Sequence, residues 1–314
     1  MGRYLLRRIP SVVLVLVVAS FVGFSLPRLA PGDPAVTLAG PDATLEQIEA
    51  IRSEEGLDEN LIAQYFDWVK DVASGDLGTS ILSGRPVSEL ISSRLATTVE
   101  LAVVALIFML IIGATLGVIA GSARNRYVSA IVDSFNSVLL GTPPFLVGLI
   151  FILIIGVELD LLPFSGSVPI TEDPIEGFRS VFLPALALAL PPAAAIARLV
   201  QAQMRKTRGE QFVELAVAKG VPSRRISIRH VLRNSTDAGI VLAGIRAGEL
   251  LAGAVVIEAI FARNGLGQLA VQSVQNRDYQ VVQVIVVGAV AVALAIQLLT
   301  EILLAALDPR IRLT

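Results

Sequence analysis

The sequence predicts an all-α integral membrane protein with six transmembrane helices, on three observations. Hydrophobic residues make up 54% of the chain and charged residues only 17%, against about 25% charged in a soluble domain. Six apolar stretches are long enough to cross about 30 Å of hydrocarbon, which takes roughly 20 residues each: 9–30, 98–121, 132–156, 181–203, 238–260 and 281–307. The Lys and Arg residues are unevenly shared between the segments that join them.

Arg7 and Arg8 precede the first apolar run, a pattern also found in signal peptides. The run from Ile9 to Leu26 is longer than a usual signal core, and no clear small-x-small cleavage site precedes Pro31. An uncleaved span is expected. Residues 1–30 are then a cytoplasmic N-terminus with the first helix, and 31–97 form a small extracytoplasmic cap with Tyr65, Phe66 and Trp68 as anchors. Residues 98–314 form the core membrane domain. Within it, the third span contains Pro143-Pro144, and the fourth contains Pro184 and Pro191-Pro192. Proline removes a backbone donor and kinks a helix. Membrane helices tolerate it where neighbouring protein satisfies the freed carbonyls, so both helices are expected inside a bundle.

Orientation follows from the cations. Arg3, Arg7, Arg8, Arg124, Arg126, the cluster between Arg205 and Arg233, and Arg310 with Arg312 all fall on one side of a six-span chain. The other side is poorer in cations, and its longest segment is acidic from Asp42 to Glu59. The positive-inside rule places both termini in the cytoplasm of a multi-pass protein of the cell membrane.

Several function classes find no support. The chain has no Cys and one His, His230, which removes disulfides, thiolate sites and His clusters; no metal site and no catalytic residues are expected. A phosphate-cradling loop needs Lys directly after Gly. Lys70, Lys206 and Lys219 follow Val69, Arg205 and Ala218. ATP, if it drives this protein, is therefore hydrolysed on another polypeptide. Ion-coupled carriers bury several ionisable groups near mid-membrane. Here only Arg246, Glu249 and Glu258 sit deep in a span, which weakens the alternative of a stand-alone secondary carrier. Arg246 and Glu249 are three residues apart and can pair on one helical face. All three are candidates for a translocation path.

The most informative segment is the basic inner loop, 204–236. It holds Glu214-Leu215-Ala216-Val217-Ala218-Lys219-Gly220 and, ten residues past the Gly, His230-Val231-Leu232. Residues 209–219 include good helix formers, Gly220 is a natural stop, and Pro222 suits the first turn of a second helix. Ala216 and Ala218 are small enough to let another surface approach. A plain alternative is a basic loop that fixes topology and binds anionic lipid.

The pattern Glu-x-Ala-x-x-x-Gly, nine residues, a bulky residue, any residue and Leu resembles the "EAA" coupling loop of ABC importer permeases. Arg3-Tyr4-Leu5-Leu6-Arg7-Arg8, Pro31-Gly32-Asp33-Pro34, Gly75-Asp76-Leu77-Gly78-Thr79-Ser80, Arg85-Pro86-Val87 and Thr97-Thr98-Val99-Glu100-Leu101 are similar to the dipeptide, oligopeptide and nickel branch. So are Gly253-Ala254-Val255-Val256-Ile257-Glu258, Gly265-Leu266-Gly267, Asn276-Arg277-Asp278-Tyr279 and Asp308-Pro309-Arg310. Together, in order, they cover nearly the whole chain.

The resemblance implies a type I ABC importer permease fold and a non-catalytic subunit without cofactors of its own. Its implied partners are a second homologous permease in a heterodimer, two cytoplasmic ATPases that hold ATP and Mg, and an extracytoplasmic peptide-binding protein. The lipid bilayer surrounds it, and nucleic acid has no part. By position, Glu214, Leu215, Ala216, Gly220, Val221, Pro222, His230 and Leu232 fall in the coupling loop. Dipeptides or oligopeptides are the implied cargo; nickel or another small solute is the alternative, disfavoured by sparse intramembrane His and Met. Leu215 stands where a second small residue is usual, and Arg246 and Glu249 stand where uncharged residues are expected.

Overall fold

The computed structural model describes residues 2–29, 34–40, 43–54, 58–123, 125–235 and 237–307. Pro31-Gly32-Asp33, Arg124 and Asp308-Pro309-Arg310 with Arg312 lie outside the described residues. The chain divides into two compact units, one joining Met1–Leu95 to Gln268–Val292, the other joining Ala96–Gly267 to Ala293–Thr314.

In the first unit, α1 (Gly2–Leu29), α2 (Pro34–Ala39), α3 (Leu45–Glu54) and α4 (Leu61–Ser74) precede the start of α5 (Val87–Ser122). Asn60 caps α4 by accepting from the Ile62 N–H, and Gly75 closes it in a left-handed conformation. Two motifs distant in sequence then meet. The Ser80 hydroxyl and the Ile81 N–H both donate to the buried Asp278 carboxylate, and the Thr79 N–H donates to the Gln280 side chain at 2.8 Å. Gly78 has φ +77, and the Gln280 amide fills the space a Cβ would need. Val87, Leu90, Leu269, Val281 and Val284 form a small core beside this latch.

The second unit is organised around α8 (Pro174–Arg208). Ala185, Ala187, Ala189, Ala193, Ala194 and Ala197 leave no exposed surface on it. Gly113, Gly117 and Gly121, one every fourth residue of α5, face α8 so closely that a Cβ on any of them would press into Ile196, Val200 or Met204. This is the small-xxx-small spacing that lets membrane helices approach each other. α6 (Arg126–Gly141), α7 (Pro144–Phe151) and α11 (Asp237–Ile260) pack on the other faces of α8.

The expected third span is not a single helix. α6 ends at Gly141, α7 begins at Pro144, and the two, with a π-helical stretch Ile152–Glu158, are bent by 103°. Thr142 is extended (φ −104, ψ 121), as is Pro143 (φ −60, ψ 145). A proline disfavours helical backbone in the residue before it, and two in succession extend two residues, which breaks the helix where a kink was expected. By contrast, α8 runs unbroken through Pro184, Pro191 and Pro192. At Pro184 the reason is visible. Its missing N–H would have bonded the Ser180 carbonyl, which instead accepts from Arg263 at 3.0 Å.

Among the described residues, Val87–Ser122, Pro174–Arg208 and Tyr279–Ile302 are each long and apolar enough to cross a membrane, and the bent pair makes a fourth candidate. The first and fifth expected spans are also helical. The described apolar part of α1, Ile9–Ser25, is shorter than a full crossing, and α11 carries Arg246, Glu249 and Glu258. α12 (Leu266–Gln275) and α13 (Tyr279–Leu307) complete the chain of helices.

Arg263, in the turn after α11, is fully buried. Besides Ser180 it donates to Glu100 of α5 at 3.0 Å, and the other Glu100 oxygen accepts from the Ile170 N–H. Burial pushes the Arg263 pKa down; the Glu100 charge and hydrogen bond, then the Glu258 charge, act against that. Breaking a buried pair by removing one partner costs about 3–5 kcal/mol. Arg263→Met should therefore lower the unfolding temperature of the purified protein in detergent, and adding Glu100→Gln should recover part of the loss. An unchanged unfolding temperature would show that the pair contributes nothing.

Candidate coupling loop and membrane pocket

The loop after α8 is a folded element. α9 (Gln211–Ala218) follows the α8 end at Gly209. Gly220 (φ +71) then closes α9, its N–H donating to Val217 O at 2.9 Å while the Val221 N–H donates to Ala216 O at 3.1 Å. This pair of bonds is the Schellman closure, which needs a left-handed residue and so favours Gly. Pro222 precedes the short α10 (Ser223–Arg225), and Ile226 N–H donates to its carbonyl. The expected second helix continues only as a π turn, Ile226–Val231, and a 3₁₀ turn, Leu232–Asn234. Ile226, Ser227 and Ile228 in succession are poor helix formers, and Ser227 is engaged elsewhere.

The loop has an inner and an outer side. Val213, Ala216, Ile226 and Val231 are buried and join Val200 and Met204 of α8 in the main core, with Val221 and Leu232 packed against them. Arg208 donates to the Ser227 hydroxyl at 2.8 Å and to the Ser122 carbonyl, and the Ser235 hydroxyl donates to Thr207 at 3.0 Å. Facing out are Glu214, Ala218, Lys219, Gly220 and Pro222, with Leu215 56% and Val217 62% exposed. Of the two alanines expected to admit another surface, Ala218 faces out, whereas Ala216 is buried in the chain's own core. His230 is half-buried. No Cβ-sized obstacle lies within 4 Å of Gly220, so its outer side is open.

Sequence reasoning passed over Arg208, Thr207, Ser227 and Ser235, which hold the loop on α8. Only the hydroxyls recurring on either side of a basic run hinted at them.

A cavity of about 300 Å³ lies in the same unit. Leu140 and Pro144 border it from the α6–α7 break, Leu188 and Pro191-Pro192 from α8, and Arg246, Glu249 and Gly253 from α11. The walls are apolar apart from the Arg246–Glu249 ion pair, which joins Nη1 to Oε2. The pair expected from the three-residue spacing is present, and both members reach the cavity. Glu258 does not. It is 0% exposed, accepts from the Gly267 N–H at 2.7 Å, and occupies the space a side chain on Gly265 would need. Glu258 thus shapes the Gly265-Leu266-Gly267 turn and does not line this cavity.

These features have relatives. Residues 113–313 match the model of the binding-protein-dependent transport system inner membrane component, and residues 1–102 match the N-terminal part of such membrane components. The chain is 34% identical to the probable peptide ABC transporter permease protein y4tP of Sinorhizobium fredii, over 99% of this chain and 100% of that one. It is 33% identical to the glutathione transport system permease protein GsiC of Escherichia coli, over 99% of each. Among solved structures, an inward-facing MetNI methionine ABC transporter chain aligns with a TM-score of 0.58 at 18% identity, covering 70% of this chain and 96% of that chain; this likeness is one of fold. With the family's motifs meeting in space and its models matching both parts of the sequence, the chain belongs to the binding-protein-dependent transport system inner membrane component family.

Proposed function

We propose that this chain is the permease subunit of an ATP-driven importer, that it carries peptides, and that loop 204–236 receives the force. The carrying observation is the two-sided loop, stapled to α8 on its inner face and presenting Leu215, Val217 and Glu214 outward. An exposed apolar edge of this kind, rimmed by polar residues, marks a protein contact. The peptide assignment rests on the full-length similarity to permeases named for peptide and glutathione transport. A second permease completes the pore, two ATPases that hold ATP and Mg dock on the loops, and an extracytoplasmic binding protein delivers cargo. This chain contributes no catalytic group. It crosses the cell membrane six times with both termini inside.

Topology is tested with cysteines placed in a chain that has none. Leu82→Cys should react with an impermeant maleimide from outside, and Ser223→Cys only from inside. Labelling of both from one side would remove the six-span arrangement.

In the cavity, Arg246 can meet a peptide carboxylate and Glu249 an ammonium group, against apolar walls that suit side chains. A charge at mid-membrane costs roughly 2.5–3.5 kcal/mol on insertion scales and is kept where a partner or a task offsets it. Glu249→Gln should change the relative uptake of differently charged peptides while assembly stays normal. A variant that loses assembly alone, or changes nothing, would reduce the pair to a structural role.

Gly220→Val forces a β-branched residue into a left-handed conformation at about 1–3 kcal/mol and adds bulk where the loop is open. Insertion and pairing with the second permease should persist, while ATPase association weakens or hydrolysis uncouples from binding-protein-dependent uptake. If the loop served only to bind anionic lipid, neutralising Arg224 and Arg225 would do more harm than Gly220→Val. Uptake and ATPase activity of both variants, in vesicles at matched abundance, decide between them.

A further inference from the structure

We propose that α4 is an interfacial helix, and that its apolar flank lies in the acyl chains of the outer leaflet. The inference rests on the topology above, which places 31–97 outside, and it goes beyond a soluble cap.

The helix is apolar over about half its circumference. Leu61, Tyr65, Trp68 and Val72, spaced three and four apart, make the face turned to α1, where Tyr65 is buried. The adjoining strip, Ile62, Phe66 and Ala73, is open, with Ile62 56% and Phe66 64% exposed. Asp67, Lys70 and Asp71 fill the opposite, exposed arc. Such a helix lies in the plane of the interface with its apolar side about 5–10 Å deep.

Contacts with α1 set the depth. The Tyr65 hydroxyl shares a 2.7 Å hydrogen bond with the Ser20 hydroxyl and reaches the Val17 carbonyl at 3.4 Å. The Tyr65 ring lies edge-on to Phe21 and Phe24, and Trp68 sits 5.6 Å from Phe24. Arg28 is the first charged residue beyond the apolar run of α1. At 1.5 Å per residue, Ser20 and Val17 lie about 12 and 16 Å inward of it along the helix. Half the hydrocarbon thickness is about 15 Å, so the Tyr65 side chain ends well below the membrane surface. A helix holding it there has its neighbouring strip at acyl-chain level. α1 likewise exposes a lipid-type surface, with Val13, Val17, Phe21 and Val22 open. Lys70, on the opposite arc, is able to extend toward water and completes an interfacial anchor.

The test uses the assembled importer in liposomes, with Phe66→Cys or Asp71→Cys as its sole cysteine, each carrying bimane. Nitroxide-bearing phospholipids should quench bimane at Phe66→Cys several-fold more than at Asp71→Cys, with blue-shifted emission at the first site. Unlabelled Asp71→Cys should react with impermeant maleimide from outside. Equal maleimide reactivity at both sites without lipid quenching would restore the soluble cap and overturn the proposal. So would a Phe66→Cys site that is neither quenched nor reactive until the partner permease is removed, since protein would then cover it. Strong quenching with Asp71→Cys reactive only from inside would overturn the outer-leaflet assignment through the topology, and leave the lipid contact standing.

Discussion

The second unit is built round one buried cation. Arg263 sits in the turn after α11, and its guanidinium reaches Ser180 on α8 and Glu100 on α5, with Glu258 close by. Each partner has a need of its own. The Ser180 carbonyl lost its helical donor to Pro184, and Glu100 is a carboxylate at the edge of an apolar span. One guanidinium, with a planar fork of donors, meets both needs and ties three helices at one level. The turn that carries it is possible because Gly265 leaves room for the Glu258 side chain, and because the Gly267 and Leu266 N–H groups find Glu258 and Thr98. A proline in one helix and two glycines in a distant turn are thus consequences of the same constraint.

Much of this was legible as pattern and little as pairing. Apolar length located the helices, because backbone groups in lipid must bond within their own segment. The motif series was legible as well: Gly78-Thr79-Ser80 and Asp278 were singled out separately, and the structure shows them as two sides of one latch. Their pairing was not readable, since residues about two hundred positions apart leave no periodic signal. Arg263 escaped notice because it lies past the end of an apolar run, where a cation looks like an ordinary exposed residue. The prolines show a second limit. Pro143-Pro144 and Pro191-Pro192 are the same dipeptide, yet one breaks its helix and the other lies inside one. The dipeptide itself does not carry that difference.

The candidate sites divide the same way. Gly220 and the Arg246–Glu249 spacing rest on local backbone and helix geometry, and they were readable in advance. Ala216 and Glu258 depend on what folds over them, and both turn inward. Small size at Ala216 suits internal packing as well as it suits a docking surface. An acid in an apolar span suits a turn clamp as well as a polar path. Only burial separates these pairs of roles.

Under the proposed coupling role, α8 is the part that carries displacement. The loop is fixed to its inner end by Arg208, Thr207 and the core around Met204, so α9 cannot shift freely of the helix. Its 35 residues span about 52 Å at 1.5 Å per residue, and Arg263 holds it near the other end. Between these anchors α8 forms one wall of the cavity, while the α6–α7 break and α11 form the others. A push on the loop therefore acts on the cavity through a continuous, alanine-packed rod. Another wall is interrupted at Thr142-Pro143, where the backbone is extended. Keeping the helix whole through three prolines, and breaking its neighbour at two, gives the same cavity one continuous wall and one interrupted wall.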